Sequence, residues 1–195
     1  MKRSLLLTPL LLVLVLMSGC LPTYVGDPEK SSVDDRLLGL WHLNSENEQL
    51  WFVHKLDSHQ YLIQAYTFEH KDGATTLNDN PLTCSGWLTT VGGDTYLSMR
   101  TFDPKQVLEP TSEPSKNRYL VARIKIDANA VTAEGVTEDF VKKYNVTTPA
   151  AFEAALKAHA GDKGTFADPN TYERVDPRKP GSVQSLLDLI TKKSS

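Results

Sequence analysis

The feature that most constrains the fold is a series of short apolar stretches, separated by turn residues, between positions 36 and 136. The clearest stretch is 119–126, in which residues alternate between two faces. One face carries Leu120, Ala122, Ile124 and Ile126, and the other carries Tyr119, Val121, Arg123 and Lys125. Because successive side chains of a strand point to opposite faces, this spacing predicts a β-strand with one buried face and one solvent-exposed face.

Turn signals between the stretches indicate that neighbouring strands run antiparallel. The strongest is Gly92-Gly93-Asp94, since glycine adopts the positive φ angles of a tight hairpin without steric cost. Strands are predicted over 36–43, 48–56, 59–69, 82–91, 95–102, 119–126, 130–136 and 171–175. This succession favours a mainly β fold: a closed antiparallel β-barrel, or a strongly curved sheet, of about eight strands.

Two helices are predicted in the C-terminal half, where the alternation ends. Thr137 is placed to cap a short helix whose first turn is acidic and whose last turn is basic, which suits the helix dipole. The second helix is indicated by Thr148 as its cap, Pro149 at its first position and Gly161 after its end. Its apolar face carries Phe152, Ala155, Leu156 and His159. Both helices are expected to pack on the barrel.

The N-terminal residues have the pattern of a cleaved export signal. The basic pair Lys2-Arg3 precedes an uncharged run, which at about 13 residues is too short to span a bilayer. The run ends in Ser18-Gly19-Cys20, which resembles the lipobox of bacterial lipoproteins. The resemblance implies cleavage before Cys20, a diacylglyceryl thioether on its sulfur and an acyl chain on its new amino group. The alternative is an ordinary secreted protein with a chance cysteine here.

These features divide the chain into four parts. They are a signal peptide over 1–19, a lipidated N-terminus and flexible tether over 20–34, a β domain over 35–176, and a C-terminal tail over 177–195 that can form a short helix. The tether is predicted because prolines, a glycine and polar residues interrupt any periodicity in 21–34. Leu21 stands where an aspartate would retain such lipoproteins in the inner membrane. The resemblance therefore implies the outer membrane, with the domain on its periplasmic face.

The first and the last predicted strands carry a recognisable pair of residues. Leu38-Gly39-Leu40-Trp41 lies in the first predicted strand, and Arg174 lies in the last. Gly39 and Trp41 are similar to the Gly-x-Trp motif of lipocalin-like barrels, where the tryptophan closes one end and a late arginine packs on it. The order of elements also resembles a group of small bacterial lipocalin-like proteins of unknown function. The further matching residues are Thr148-Pro149, Phe152, Leu156, Phe166 and Tyr172-Glu173-Arg174. The resemblance implies structural roles for Gly39, Trp41 and Arg174, and it implies no ligand.

Charge restricts the partners that we expect. Without the signal peptide, 19 basic residues (21 minus Lys2 and Arg3) and 24 acidic residues give a net charge of −5. Such a protein is short of the basic surface that displaces counterions from nucleic acid, so we expect no nucleic-acid partner. The predicted partners are the membrane, through the N-terminal lipid, and either an envelope protein or a small apolar ligand.

The sequence contains no motif of covalent or metal chemistry. It has no nucleophile elbow, phosphate loop, zinc-binding helix or paired-cysteine motif. The histidines at the early strands, His42, His54, His59 and His70, are not spaced to bind a metal from one strand. We therefore predict no metal, no other cofactor, no catalytic residues and a non-enzymatic function. An enzyme whose residues meet only in the fold is the alternative.

The residues expected inside the barrel favour a binding module over a carrier. The size of these residues decides whether such a barrel is filled or holds a ligand. The predicted inward set is Leu97, Met99, Leu120 and Ile124. This set is bulky, which favours a filled or shallow interior and protein interaction over ligand transport. Cys84 is expected to be a small buried apolar residue, with a reactive thiol or an intermolecular disulfide as alternatives.

Overall fold

The computed structural model describes residues 21–45, 48–71, 74–78, 80–101, 119–176 and 178. The predicted signal peptide, Cys20 and the predicted helix of the C-terminal tail lie outside the described residues.

Within the described residues, nine strands form one antiparallel sheet. They are β1 Gly39–Leu43, β2 Gln49–Lys55, β3 Tyr61–Lys71, β4 Ala74–Leu77, β5 Leu82–Val91, β6 Asp94–Thr101, β7 Tyr119–Ile126, β8 Ala130–Gly135 and β9 Asn170–Val175. Their order is β2-β1-β9-β8-β7-β6-β5-β3-β4, and β2 also pairs with β3. That last pairing closes eight strands into a barrel, while β4 extends β3 outside the ring. The predicted closed antiparallel barrel is confirmed, and its architecture is consistent with the lipocalin-like barrel expected from the sequence; β4 is an addition to the predicted strands.

The hairpin between β5 and β6 has the predicted glycine turn. Val91 pairs with Asp94, and the two glycines between them, Gly92 and Gly93, have φ angles of 63° and 96°. Positive φ at both central positions gives a turn whose twist matches that of the flanking strands.

Both predicted helices are present. They are α1 Glu138–Lys143 and α2 Pro149–His159. The Thr137 hydroxyl accepts a hydrogen bond from the Phe140 N–H, and the Thr148 hydroxyl accepts one from the Ala151 N–H, each at 3.2 Å. These bonds satisfy backbone donors that have no partner within the helix. The predicted caps of both helices are therefore confirmed.

Two apolar cores lie on opposite sides of the barrel wall. The inner core fills the barrel with Leu37, Trp41, Leu43, Val53, Tyr61, Ile63, Cys84, Leu97, Met99, Ala122, Ile124, Val131, Ala133 and Tyr172. The outer core joins residues of β5, β6 and β7 to both helices and to residues that precede the barrel. Its members are Leu21, Val25, Trp87, Val91, Tyr96, Tyr119, Val121, Val136, Phe140, Val141, Val146, Phe152 and Leu156.

The prediction of a solvent-exposed face on β7 is wrong for the first half of the strand. Tyr119 is 7% exposed and Val121 is 3% exposed, because both belong to the outer core. Farther along the same face, Arg123 is half-buried and Lys125 is exposed. The apolar side chains at the start of β7 are covered by the helices and the N-terminal residues, since burial of apolar surface is favourable on either side of the wall.

Residues 21–34 are packed on the barrel, which corrects the prediction of a flexible tether. Leu21 is 2% exposed and Val25 is fully buried. Leu21 and Tyr119 exchange two backbone hydrogen bonds of 2.8 and 3.2 Å. We call residues 21–34 the strap. Their prolines and polar residues suggested a solvated chain. Burial of each apolar side chain, however, stabilises the packed position by about 1.5–3 kcal/mol, so the strap lies on the barrel.

The strap connects the two ends of the barrel. At the Trp41 end, β1 begins and tight turns join β2 to β3, β5 to β6 and β7 to β8. At the Tyr119 end, β7 begins and β6 ends. The strap starts beside Tyr119, crosses β5 and β6, and reaches the Trp41 end, where the Asp34 N–H donates to the Tyr61 hydroxyl at 2.6 Å. A 3₁₀ turn at Asp35–Leu37 then brings Leu37 into the inner core.

Candidate functional site

The interior of the barrel is filled by side chains. Large residues at its centre, Trp41, Tyr61, Ile63, Leu97 and Tyr172, are each at most 1% exposed. Of the predicted inward residues, Leu97, Met99 and Ile124 belong to the inner core and Leu120 packs against it. The inward face of the strands is thus bulky, as their sequence predicts.

Three polar side chains in the interior, Gln49, Trp51 and Tyr172, are bonded to one another. The Gln49 Oε1 atom accepts hydrogen bonds from the Trp51 indole N–H at 3.0 Å and from the Tyr172 hydroxyl at 3.4 Å. The ring centres of Trp51 and Tyr172 are 4.4 Å apart. Burial raises the pKa of Tyr172, so its hydroxyl keeps its proton and acts as a donor. The arrangement satisfies buried polar atoms and joins β2, which carries Gln49 and Trp51, to β9, which carries Tyr172.

The Trp41 end is closed by the predicted contact between Trp41 and Arg174. These residues face each other in the register of β1 and β9, and the Arg174 Cζ atom lies 4.2 Å from the centre of the Trp41 ring. The guanidinium also donates hydrogen bonds to the carbonyl oxygens of Arg36, Leu38 and Ala128. The first strand, the last strand and the β7–β8 turn are thereby joined at one group.

Gly39 makes room for this closure. Its φ angle is 128°, a backbone conformation that residues with a side chain rarely adopt. A Cβ atom at this position would lie 2.9 Å from the Arg174 Nη1 atom. The structural roles expected for Gly39, Trp41 and Arg174 therefore have one geometric basis: the glycine backbone leaves space for the arginine that covers the tryptophan.

A groove of about 600 Å³ lies beside the closed Trp41 end. Its lining combines Asp34 and Arg36 with Gly93, Asp94, Thr95, Arg123, Ile124, Lys125, Ile126, Thr132, Glu134 and Pro169. Arg123 contacts Glu134 at 2.7 Å and Asp94 at 3.4 Å. Because the arginine is already paired with two carboxylates, and because acidic and basic side chains are equally numerous in the lining, the groove is charge-balanced and does not favour an anion.

The described histidines lie in separate environments. The His42 Nε2 atom is 2.7 Å from the Glu48 Oε1 atom, and the His59 Nδ1 atom is 2.7 Å from the Ser31 carbonyl oxygen. His54 is exposed, and the side chain of His70 lies outside the described residues. In the described ranges, no three histidine, cysteine, aspartate or glutamate side chains are grouped so that they could hold a metal ion.

Cys84 lies in the inner core, where the sequence places it. Burial raises the pKa of its thiol to about 12. The thiol is therefore protonated at neutral pH, whereas nucleophilic attack and disulfide exchange need the thiolate. This environment favours the expected role of Cys84 as a small apolar residue.

The strap is bonded to the wall at Val25. The Val25 carbonyl oxygen accepts hydrogen bonds from the Trp87 indole N–H at 2.8 Å and from the Ser98 hydroxyl at 3.0 Å. In turn, the Ser98 Oγ atom accepts one from the Val25 N–H at 3.1 Å. Tyr24 adds ring contacts to Trp87 and Tyr119, with ring centres 5.2 and 4.9 Å apart. This segment of the strap is thus fixed by both polar and apolar contacts.

Ser31 fixes the strap again near the Trp41 end. Its hydroxyl donates to the Leu88 carbonyl at 2.8 Å and accepts from the Leu88 N–H at 3.1 Å. Leu88 lies beyond Gly86, the last residue of β5 that pairs with β3. Ser31 therefore supplies the hydrogen-bond partners of the Leu88 backbone that a neighbouring strand would otherwise supply.

The sequence contained a signal for the packing of the strap, namely the apolar residues Leu21, Tyr24 and Val25. The prediction gave more weight to the turn residues around them.

Comparisons with known proteins add no further constraint. No model of a known protein family matches the chain, and no curated protein or solved structure is significantly similar to it. Across the described ranges, no helix is both long and apolar enough to cross a lipid bilayer.

Proposed function

We propose that the protein is a lipid-anchored module of the bacterial envelope that acts by binding another protein. The sequence Ser18-Gly19-Cys20 supports acylation at Cys20, and Leu21 after it supports the outer membrane, with the barrel on the periplasmic face. Acyl chains on one residue suffice for stable anchoring, because two chains already hold a protein on a membrane.

The packed interior of the barrel carries the proposal that the protein acts through its outer surface. An eight-stranded barrel either fills its interior with side chains or holds one small ligand. Here Trp41, Tyr61 and Tyr172 occupy the volume that a ligand would need, and Trp41 is covered by Arg174 at one end. A protein partner on the outside is therefore better supported than an apolar ligand inside.

The chemistry of the polar groups supports binding rather than catalysis. The Gln49 amide oxygen is occupied by two donors, and Arg123 is paired with two carboxylates. The Cys84 thiol is buried and protonated at neutral pH. Each of these groups is committed to a partner within the fold or shielded from substrate, whereas a catalytic group must reach the reacting atoms.

Site-specific photocrosslinking in intact cells tests the proposal. A photoreactive residue in place of Leu56, which is 51% exposed in the turn between β2 and β3, probes the Trp41 end. The control places the same photoreactive residue at the buried position Leu97. We expect a defined adduct with one envelope protein from position 56 and none from position 97. The proposal is contradicted if native mass spectrometry finds a retained apolar molecule, or if the purified protein turns over a lipid, peptide or glycan substrate.

A further inference from the structure

We infer that the membrane surface is the partner of the Tyr119 end of the barrel, which the anchor holds directly against the bilayer. This inference rests on the proposed acylation of Cys20. It goes beyond that proposal because it assigns an orientation: the Tyr119 end faces the lipid, and the Trp41 end faces the periplasm.

The first step is the position of Leu21. Both of its backbone polar groups are bonded to Tyr119, at 2.8 and 3.2 Å, and its side chain is buried in the outer core. Leu21 is therefore part of the barrel wall at the first residue of β7.

The second step is the reach of the anchor. Adjacent Cα atoms are about 3.8 Å apart, so a lipidated Cys20 lies within one residue of the wall. A free chain over 21–34 would instead allow a separation of up to about 46–50 Å between the bilayer and the barrel. The packed strap removes nearly all of this reach.

The third step is the strength with which the strap is held. Contacts occur along its whole length: Leu21 bonds to Tyr119, Val25 to Trp87 and Ser98, Ser31 to Leu88, and Asp34 to Tyr61. Polar and apolar contacts would have to break together before the strap could extend as a tether. The anchor therefore acts on a rigid body and not on a flexible linker.

The fourth step is the distance between the two ends. Strand β7 runs from Tyr119 beside the anchor to Ile126 near the Trp41 end. With the usual rise per residue and strand tilt of a barrel, this corresponds to about 16–19 Å along the barrel axis. The two ends thus lie at measurably different distances from the membrane.

Fluorescence quenching on vesicles tests the orientation. The full chain is acylated in a bacterial host and reconstituted into phosphatidylethanolamine–phosphatidylglycerol vesicles that carry a nitroxide on the lipid headgroup. A bimane label is placed through Arg100→Cys, an exposed position that pairs with Tyr119, or through Ala128→Cys, an exposed position in the β7–β8 turn. The buried Cys84 thiol is protected from the label while the protein is folded.

We expect the label at position 100 to be quenched several-fold more than the label at position 128. The matched control inserts a glycine–serine linker between Cys20 and Leu21; about 20 residues span about 22–27 Å on average and should abolish the difference. Equal quenching at both positions in the acylated native chain overturns the orientation and leaves the anchoring intact. Absence of acyl chains in the intact mass, checked on every sample, overturns the anchoring and the orientation together.

Discussion

Arg174 covers Trp41, with its Cζ atom 4.2 Å from the centre of the indole ring and its nitrogens bonded to three backbone carbonyls. One side chain thus joins β1, β9 and the β7–β8 turn at a closed end of the barrel. This end depends on the planar shape of the guanidinium as much as on its charge, because lysine cannot form the same fork of hydrogen bonds.

Substitutions at this pair should destabilise the barrel to different degrees. Trp41→Ala should lower the free energy of unfolding by about 3–5 kcal/mol, since it opens a cavity in the inner core. Arg174→Lys should lower it by about 1–3 kcal/mol through the loss of backbone hydrogen bonds and of stacking. Urea unfolding measures both. The control Arg178→Lys, at an exposed arginine that contacts Asp176, should leave the midpoint unchanged. Equal midpoints for Arg174→Lys and the control would contradict the role of the guanidinium fork.

Gly39 should not tolerate a side chain. Gly39→Ala places a Cβ atom 2.9 Å from the Arg174 Nη1 atom and forces alanine to a φ angle of 128°. We expect a loss of about 1–3 kcal/mol in the free energy of unfolding. Gly161→Ala is the matched control, because a Cβ atom there meets nothing within 4 Å. The explanation fails if both alanine variants have the same thermal unfolding midpoint.

The strap should contribute to the stability of the barrel. A chain that begins at Leu21 should be more stable to urea than one that begins at Asp35, because only the first retains buried Leu21 and Val25. Two such side chains correspond to about 3–6 kcal/mol. Within the full strap, Val25→Ala should cost about 1–3 kcal/mol, whereas Lys30→Ala, at an exposed position, should have no effect. A tether would give the same stability for every one of these chains.

The stability of the barrel should fall at alkaline pH. Burial raises the pKa of Cys84 from 9.0 to about 12 and that of Tyr61 from 10.0 to about 12. The unfolded chain therefore loses these protons first, so stability is full below about pH 9 and declines as the pH rises toward 12. Between pH 9 and 10 the decline from Cys84 is at most about 1.4 kcal/mol per pH unit. The free energy of unfolding of Cys84→Ala should therefore depend less steeply on pH in this range. Parallel curves for the two proteins would exclude the thiol as the cause.

Local signals in the sequence predicted most of the barrel. The alternation in 119–126 placed β7, the glycine pair at 92–93 placed its hairpin, and Thr137 and Thr148 placed the helix caps. Each of these features is decided by residues that are neighbours in the chain. The contact between Trp41 and Arg174 was predicted from a resemblance to lipocalin-like barrels, because nothing local connects residues so far apart in sequence.

The features that sequence did not predict depend on tertiary contacts. The strap was expected to be solvated because its turn residues are conspicuous, but the wall it covers is assembled from β5, β6 and β7. Tyr119 and Val121 were expected on the solvent-exposed face of β7. They are buried because residues of the strap and of the helices, which are distant in sequence, cover them. The charge-balanced groove at Arg123 likewise combines residues that only the barrel brings together.

The intact mass of the protein extracted from membranes tests the proposed anchoring most directly. We expect a chain that begins at Cys20 and carries a diacylglyceryl group and an additional acyl chain, with the signal peptide removed. Cys20→Ala should leave the unprocessed precursor in the membrane fraction and abolish labelling by a radioactive fatty acid. A mature chain without acyl groups, or normal labelling of Cys20→Ala, would contradict the proposal that the barrel is a lipid-anchored envelope module.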